Sequence, residues 1–97
     1  MSKAAAYYVY ILASGLHGTL DTGVTNNVQA RLEAHRSGRG SQFVKRYKVY
    51  RLVHVEAFTT ALEAIAREKQ LKNWQRDWKT RLIEEDNPEW SELSHLL

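Results

Sequence analysis

The strongest constraint on this fold is the spacing of two strand-like segments near the start of the chain. Residues 7–12 (YYVYIL) are aromatic and β-branched with no helical period, and residues 19–25 (TLDTGVT) read as a second extended run. Between them, residues 14–18 (SGLHG) carry two glycines and turn the chain back. A parallel pair needs a crossover of a dozen or more residues, so these strands must form an antiparallel hairpin. Gly23 lies inside the second strand. There it weakens the strand unless another backbone, a helix or a ligand approaches closely.

The rest of the chain completes one domain over residues 1–97. Asn26 or Asn27 caps a helix running to about Ser37, with Val28 and Leu32 as its buried pair and Gly38 at the favoured stop position. Residues 37–48 (SGRGSQFVKRYK) form a basic loop pinned by Phe43 and Tyr47, and residues 49–58 (VYRLVHVEAF) a third strand. Thr60 and Glu63 make a capping box for a long helix, and a further helical stretch spaces Trp74, Trp78 and Leu82 by four until Asn87-Pro88 stops it. The tail packs back through Trp90 and Leu93. The expected class is α/β (α+β): a small three-stranded, mostly antiparallel sheet flanked by helices.

Composition narrows the function. With no cysteine, disulfides, thiolate zinc sites and thiol nucleophiles are excluded, so any metal must be held by oxygen or imidazole. No run is long enough to span a bilayer, and the start lacks a signal-peptide pattern, so the expected location is the cytoplasm. The net charge of +3 is unevenly placed. Arg31, Arg36, Arg39, Lys45, Arg46, Lys48 and Arg51 face Glu33 alone in the middle third, whereas from Leu52 onward carboxylates outnumber Lys and Arg by nine to six. Such segregation predicts a polyanion-facing surface, against the plainer reading of a solvated basic loop.

Individual residues sharpen this. On a wheel of roughly 100° per residue, Ala61, Ala64, Ile65 and Leu71 span one arc with Glu68 near its middle, so Glu68 points toward the core side. A buried carboxylate costs several kcal/mol unless paired or bound to metal. Either a salt bridge to Arg31 or a lysine, or a metal, answers that need. Arg31 and His35, four apart, share a helical face. Arg31 is either a surface cation or a phosphate contact, and His35 either a helix-end histidine or a general base or phosphate contact. Tyr8 and Tyr10 share one strand face, with Tyr7, Val9 and Ile11 on the other. His17, His54 and His95 have no ligand spacing and are expected to be structural or incidental. There is no P-loop, dinucleotide fingerprint or G-x-S-x-G elbow.

Val9-Tyr10, then Asp21-Thr22-Gly23, then Asn27-Val28-x-x-Arg31-Leu-x-x-His35, then residues 64–74 (AIAREKQLKNW) resemble in order and spacing the GIY-YIG endonuclease domain. The likeness is greatest to its small stand-alone bacterial branch, which is similar to the N-terminal nuclease domain of the bacterial excision-repair endonuclease. That branch also shows a Phe-x-x-x-Tyr segment like Phe43 to Tyr47 and an Asn-Pro-x-Trp ending like Asn87 to Trp90. The resemblance implies a metal-dependent endonuclease cleaving phosphodiester bonds, DNA more than RNA, in repair or recombination. Its single divalent ion, Mg²⁺ or Mn²⁺, would be held by Glu68. Arg31 would stabilise the phosphate, Tyr10 would take the role of the first motif tyrosine, and His35 or a lysine would assist. Arg36, Arg39, Lys45, Arg46 and Lys48 are the expected further nucleic-acid contacts.

This chain departs from the pattern at Asp21, where the family has its second tyrosine; Gly23 of that motif is retained. The alternative is therefore a catalytically impaired nucleic-acid-binding module. A weaker third reading is a protein-interaction domain using the acidic tail with Trp74, Trp78 and Trp90, whose plainer role is core packing. A protein partner or a homodimer is compatible with so small a domain.

Overall fold

A computed structural model describes residues 5–37 and 48–96 of the chain. Along them run β1 (Tyr7–Ala13), β2 (Leu20–Thr25), α1 (Val28–Arg36), β3 (Arg51–Phe58), α2 (Ala61–Asn73) and α3 (Arg76–Asp86), then a 3-10 turn at Ser94–Leu96. The sheet order is β2-β1-β3, and both pairings are antiparallel. The hairpin expected from spacing is therefore present, and β1, the most apolar strand, takes the centre.

Both faces of β1 are buried because helices cover both. Val9, Ile11 and Ala13 pack with Val53, Ala64, Leu71, Ile83 and Trp90 on the side of α2 and α3. Tyr10 and Leu12 pack with Val28, Leu32, Val49 and Leu52 on the side of α1. A bulge on β3 makes this possible: Ile11 pairs with His54 but Leu12 with Leu52, so the extra residue, Val53, joins one core while Leu52 joins the other.

The helix starts follow the side chains expected. Asn27 accepts from the Ala30 N–H at 3.0 Å, and the Thr60 hydroxyl accepts from the Glu63 N–H at 3.3 Å. β3 starts two residues later than the apolar pattern predicts. Lys48 sits in the left-handed region (φ 54), and the Tyr50 N–H reaches back to its carbonyl at 3.1 Å, so Val49 and Tyr50 belong to a turn. Val49 is buried all the same. The tail returns as expected. Trp90 is wholly buried with its indole N–H on Glu84, and Leu93 donates to the Leu52 carbonyl at 2.9 Å.

Two expectations change. Trp78 is 49% exposed, because α3 turns that side outward, so core packing holds for Trp90 but not for Trp78. Ile65, placed on the core arc of α2, is 39% exposed and faces a surface recess. The stop at Gly38 and the basic loop with Phe43 and Tyr47 lie outside the described residues.

Candidate functional site

Gly23 lies opposite Tyr10 in the β1–β2 ladder, and the Tyr10 ring fills the place a side chain at Gly23 would need. The close approach that an in-strand glycine implies is thus made by this ring. Tyr10 is 2% exposed. Its hydroxyl accepts from Arg31 Nη1 at 3.3 Å and lies 3.4 Å from His35 Nε2. Arg31 and His35, one helical turn apart on α1, therefore meet one phenol. His35 is buried, and its Nδ1 has no hydrogen-bond partner among the described residues. Burial lowers its pKa, with Asp21 opposing and Arg31 reinforcing the shift. A neutral imidazole with Nε2 toward the phenol can accept the hydroxyl proton. Burial also pushes the Tyr10 phenol above its ordinary value, although Arg31 pulls it down.

Beside this trio opens a cleft of about 530 Å³, lined also by Asp21, Thr22, Val24, Ala34, Glu68 and Lys72. Its construction explains the sequence pattern. β2 is an edge strand, with α1 on one side of the sheet and α2 on the other, so Arg31 and Glu68 meet around its free edge. The Glu68 side chain is 18% exposed, with Lys72 Nζ 3.6 Å away. The Asp21 carboxyl is raised by burial; the charges of His35, Lys72 and Arg31 lower it, while that of Glu68 raises it. Two carboxylates thus repel each other across one cleft. A hard cation would relieve that repulsion, and oxygen donors suit it. Among the described residues no three His, Asp or Glu side chains cluster as a metal site, so such an ion would keep most of its water.

The model of the GIY-YIG catalytic domain matches residues 6–81, which span every residue of this cleft. The chain belongs to the GIY-YIG family. It is 38% identical over 81 residues to a UPF0213 protein of Staphylococcus haemolyticus, covering 84% of this chain and 98% of that one. UPF0213 proteins of Staphylococcus aureus match at 38% over 80 residues, covering 82% of this chain and 96% of theirs. The solution NMR structure of the UPF0213 protein of Bacillus halodurans aligns with a TM-score of 0.56 and 31% identity, over 93% of this chain and 95% of that one. Membership in the GIY-YIG family supports a nuclease-type function and nucleic acid as the partner.

Against the GIY-YIG pattern, Tyr10, Gly23, Arg31, His35 and Glu68 all stand in the cleft, and so does the departing Asp21. The basic positions separate. Arg36 donates to the Tyr50 carbonyl at 3.2 Å and to Glu92 at 3.0 Å, tying α1 to the tail. Lys48 is exposed before β3, and Arg39, Lys45 and Arg46 lie outside the described residues. Lys72 is the cleft cation that reading for charge runs passed over; the signal was its i,i+4 spacing from Glu68. His54, expected to be structural or incidental, is structural: it is buried with Nε2 2.7 Å from Glu56, which also accepts from Arg67 Nε at 2.8 Å. That network holds β3 to α2, and neither His54 nor Glu56 lines the cleft.

Proposed function

We propose that this chain is a divalent-metal-dependent endonuclease that hydrolyses phosphodiester bonds in nucleic acid at the cleft beside β2. The observation that carries the reading is the meeting, in one cleft, of the Tyr10–Arg31–His35 trio from one face of the sheet with Glu68 from the other. In this reading the Arg31 guanidinium, already turned to the Tyr10 hydroxyl, forks onto a non-bridging phosphate oxygen. A water held at the Tyr10 hydroxyl gives its proton to that oxygen as the phenol gives its own to His35 Nε2, so Tyr10 ends neutral and His35 charged. The water oxygen then bonds to phosphorus, and the departing alkoxide takes a proton from solvent. Asp21, whose charge His35 feels, stabilises the imidazolium. Glu68, with Asp21 beside it, would hold Mg²⁺ or Mn²⁺, which when bound supplies Lewis-acid stabilisation of the phosphate.

DNA in preference to RNA, repair or recombination as the setting, and the cytoplasm as the location follow the resemblance and the cysteine-free composition. No helix among the described residues is long and apolar enough to cross a membrane. The second reading, a binding module with impaired catalysis, is favoured by one observation, Asp21 in the place of a tyrosine. A cleavage assay with Mg²⁺ or Mn²⁺ on single-stranded, duplex and branched DNA and RNA separates the two. We expect cleavage by the unmodified chain and none by Glu68→Ala. An inert chain that gains cleavage on Asp21→Tyr would establish the second reading instead.

A further inference from the structure

A second recess of about 200 Å³ adjoins the cleft, walled by Tyr7, Val24, Ala61 and Ile65, with Thr25 and Asn26 at its rim. Val24 belongs to both hollows. α2 likewise supplies Ala61 and Ile65 to the recess and Glu68 and Lys72 to the cleft. The two therefore adjoin at Val24 and lie along the same helix, α2. The cleft holds Asp21, Arg31, His35, Glu68 and Lys72; the recess has no charged side chain among its described lining residues. Apolar surface also stands open there, with Ile65 39% exposed and Leu62, one helical turn away, 81% exposed.

We propose that the recess is a subsite for one unstacked nucleobase of the strand whose phosphate lies in the cleft, so that the substrate carries unpaired nucleotides beside the scissile bond. The inference rests on the nuclease reading and adds the substrate class. Three points support this occupant. Ile65 precedes Glu68 by three residues, about 4.5 Å of helix axis. A nucleotide whose base has left the stack spans more than the step of about 3.4 Å of a stacked strand, so that distance lies within its reach. The Tyr7 ring and the Val24 and Ile65 side chains offer an aromatic and two branched surfaces, which suit the flat face of any base. Finally, a duplex keeps its bases stacked inside and would set sugar and phosphate against a recess whose described lining holds no cation.

Fluorescence anisotropy tests this with short single strands of DNA and of RNA, and a blunt-ended duplex of two separate, fully paired strands of equal length, with Ca²⁺ replacing Mg²⁺ to suppress hydrolysis. Tighter binding of the single strands is expected. Ile65→Ser, at an exposed position outside the cleft, should weaken single-strand binding by about tenfold and leave duplex binding unchanged. A single strand carrying 5-iodouracil next to the bound phosphate should photocrosslink to Tyr7, mapped by mass spectrometry. Equal affinity for duplex and single strand, or equal weakening of both by Ile65→Ser, would overturn the subsite. Cleavage confined to blunt duplex would overturn it while leaving the nuclease reading intact, and no binding to any nucleic acid would overturn both.

Discussion

Replacing Gly23 by alanine is the sharpest test of how the cleft is built. The new Cβ would stand 2.5 Å from Tyr10 Cζ and 3.0 Å from Cε2, and closer still to the hydroxyl. The ring has little room to yield, since Tyr10 is 2% exposed and packed with Leu12, Val28 and Leu32. Contacts this short oblige the ring or the edge strand β2 to move outright, which sets the cost toward the top of the usual overpacking range of about 1–3 kcal/mol. For a domain of this size each kcal/mol lowers Tm by about 4–8 °C, so thermal denaturation followed by circular dichroism resolves the loss easily. Tyr10→Val opens the space the Cβ needs. The double variant should therefore lose clearly less stability than the two single losses added together. A Gly23→Ala protein melting with the unmodified chain, or a strictly additive double variant, would refute the claim that this glycine exists to admit the Tyr10 ring.

Two further outcomes follow from the ionisable groups. Burial raises the Glu56 carboxyl, but hydrogen bonds and charge from His54 and Arg67 outweigh it and hold the group at about 2, against an ordinary 4.5. A lowered folded-state pKa stabilises above the ordinary value and is lost as pH falls through the folded one. Glu56→Gln should therefore cost roughly 1–3 kcal/mol at neutral pH, and urea unfolding should show the difference shrinking between pH 4.5 and about 2. Asp21 has the opposite sign. Its raised carboxyl favours folding below the ordinary 3.8, and that contribution is lost as pH rises through the folded value. Asp21→Asn should thus raise Tm at neutral pH, with the gain closing in acid, and a lower Tm at neutral pH would contradict it.

The parts of this fold legible in the sequence are those set by neighbours along the chain. The hairpin follows from a connection too short for a crossover, and the starts of α1 and α2 from the Asn27 and Thr60 caps. Periodicity also turned Glu68 inward correctly, since its side chain is mostly shielded. It misplaced Ile65 because a helical wheel has no knowledge of where the neighbouring layer ends: α2 overhangs the start of β1 and the end of β2, and leaves a recess there. The bulge at Val53 is equally invisible, because it depends on which strand pairs with which. That Arg31 and Glu68 share a cleft follows from α1 and α2 covering opposite faces and reaching around one edge strand. No local pattern encodes this: the need of a shielded carboxylate for a partner raised Arg31 only as one of several, and the family resemblance put both in one site.

The charge balance of the cleft shows what Asp21 changes. With His35 kept neutral by burial, Arg31 and Lys72 are matched among the described lining residues by Asp21 and Glu68. A tyrosine at position 21 would leave the same cleft with an excess positive charge before any ion binds. The carboxylate therefore removes part of the attraction for a phosphate group and adds an oxygen donor beside Glu68. Under the proposed metal-dependent reading, both effects act in one direction, making phosphate binding depend more on a divalent ion and less on the protein's own cations. It follows that Asp21 need not mark a decayed site. A chain that had merely lost a tyrosine would have no reason to keep His35 buried beside the Tyr10 hydroxyl with Nδ1 unpartnered, an arrangement that costs stability and that apolar packing would relieve.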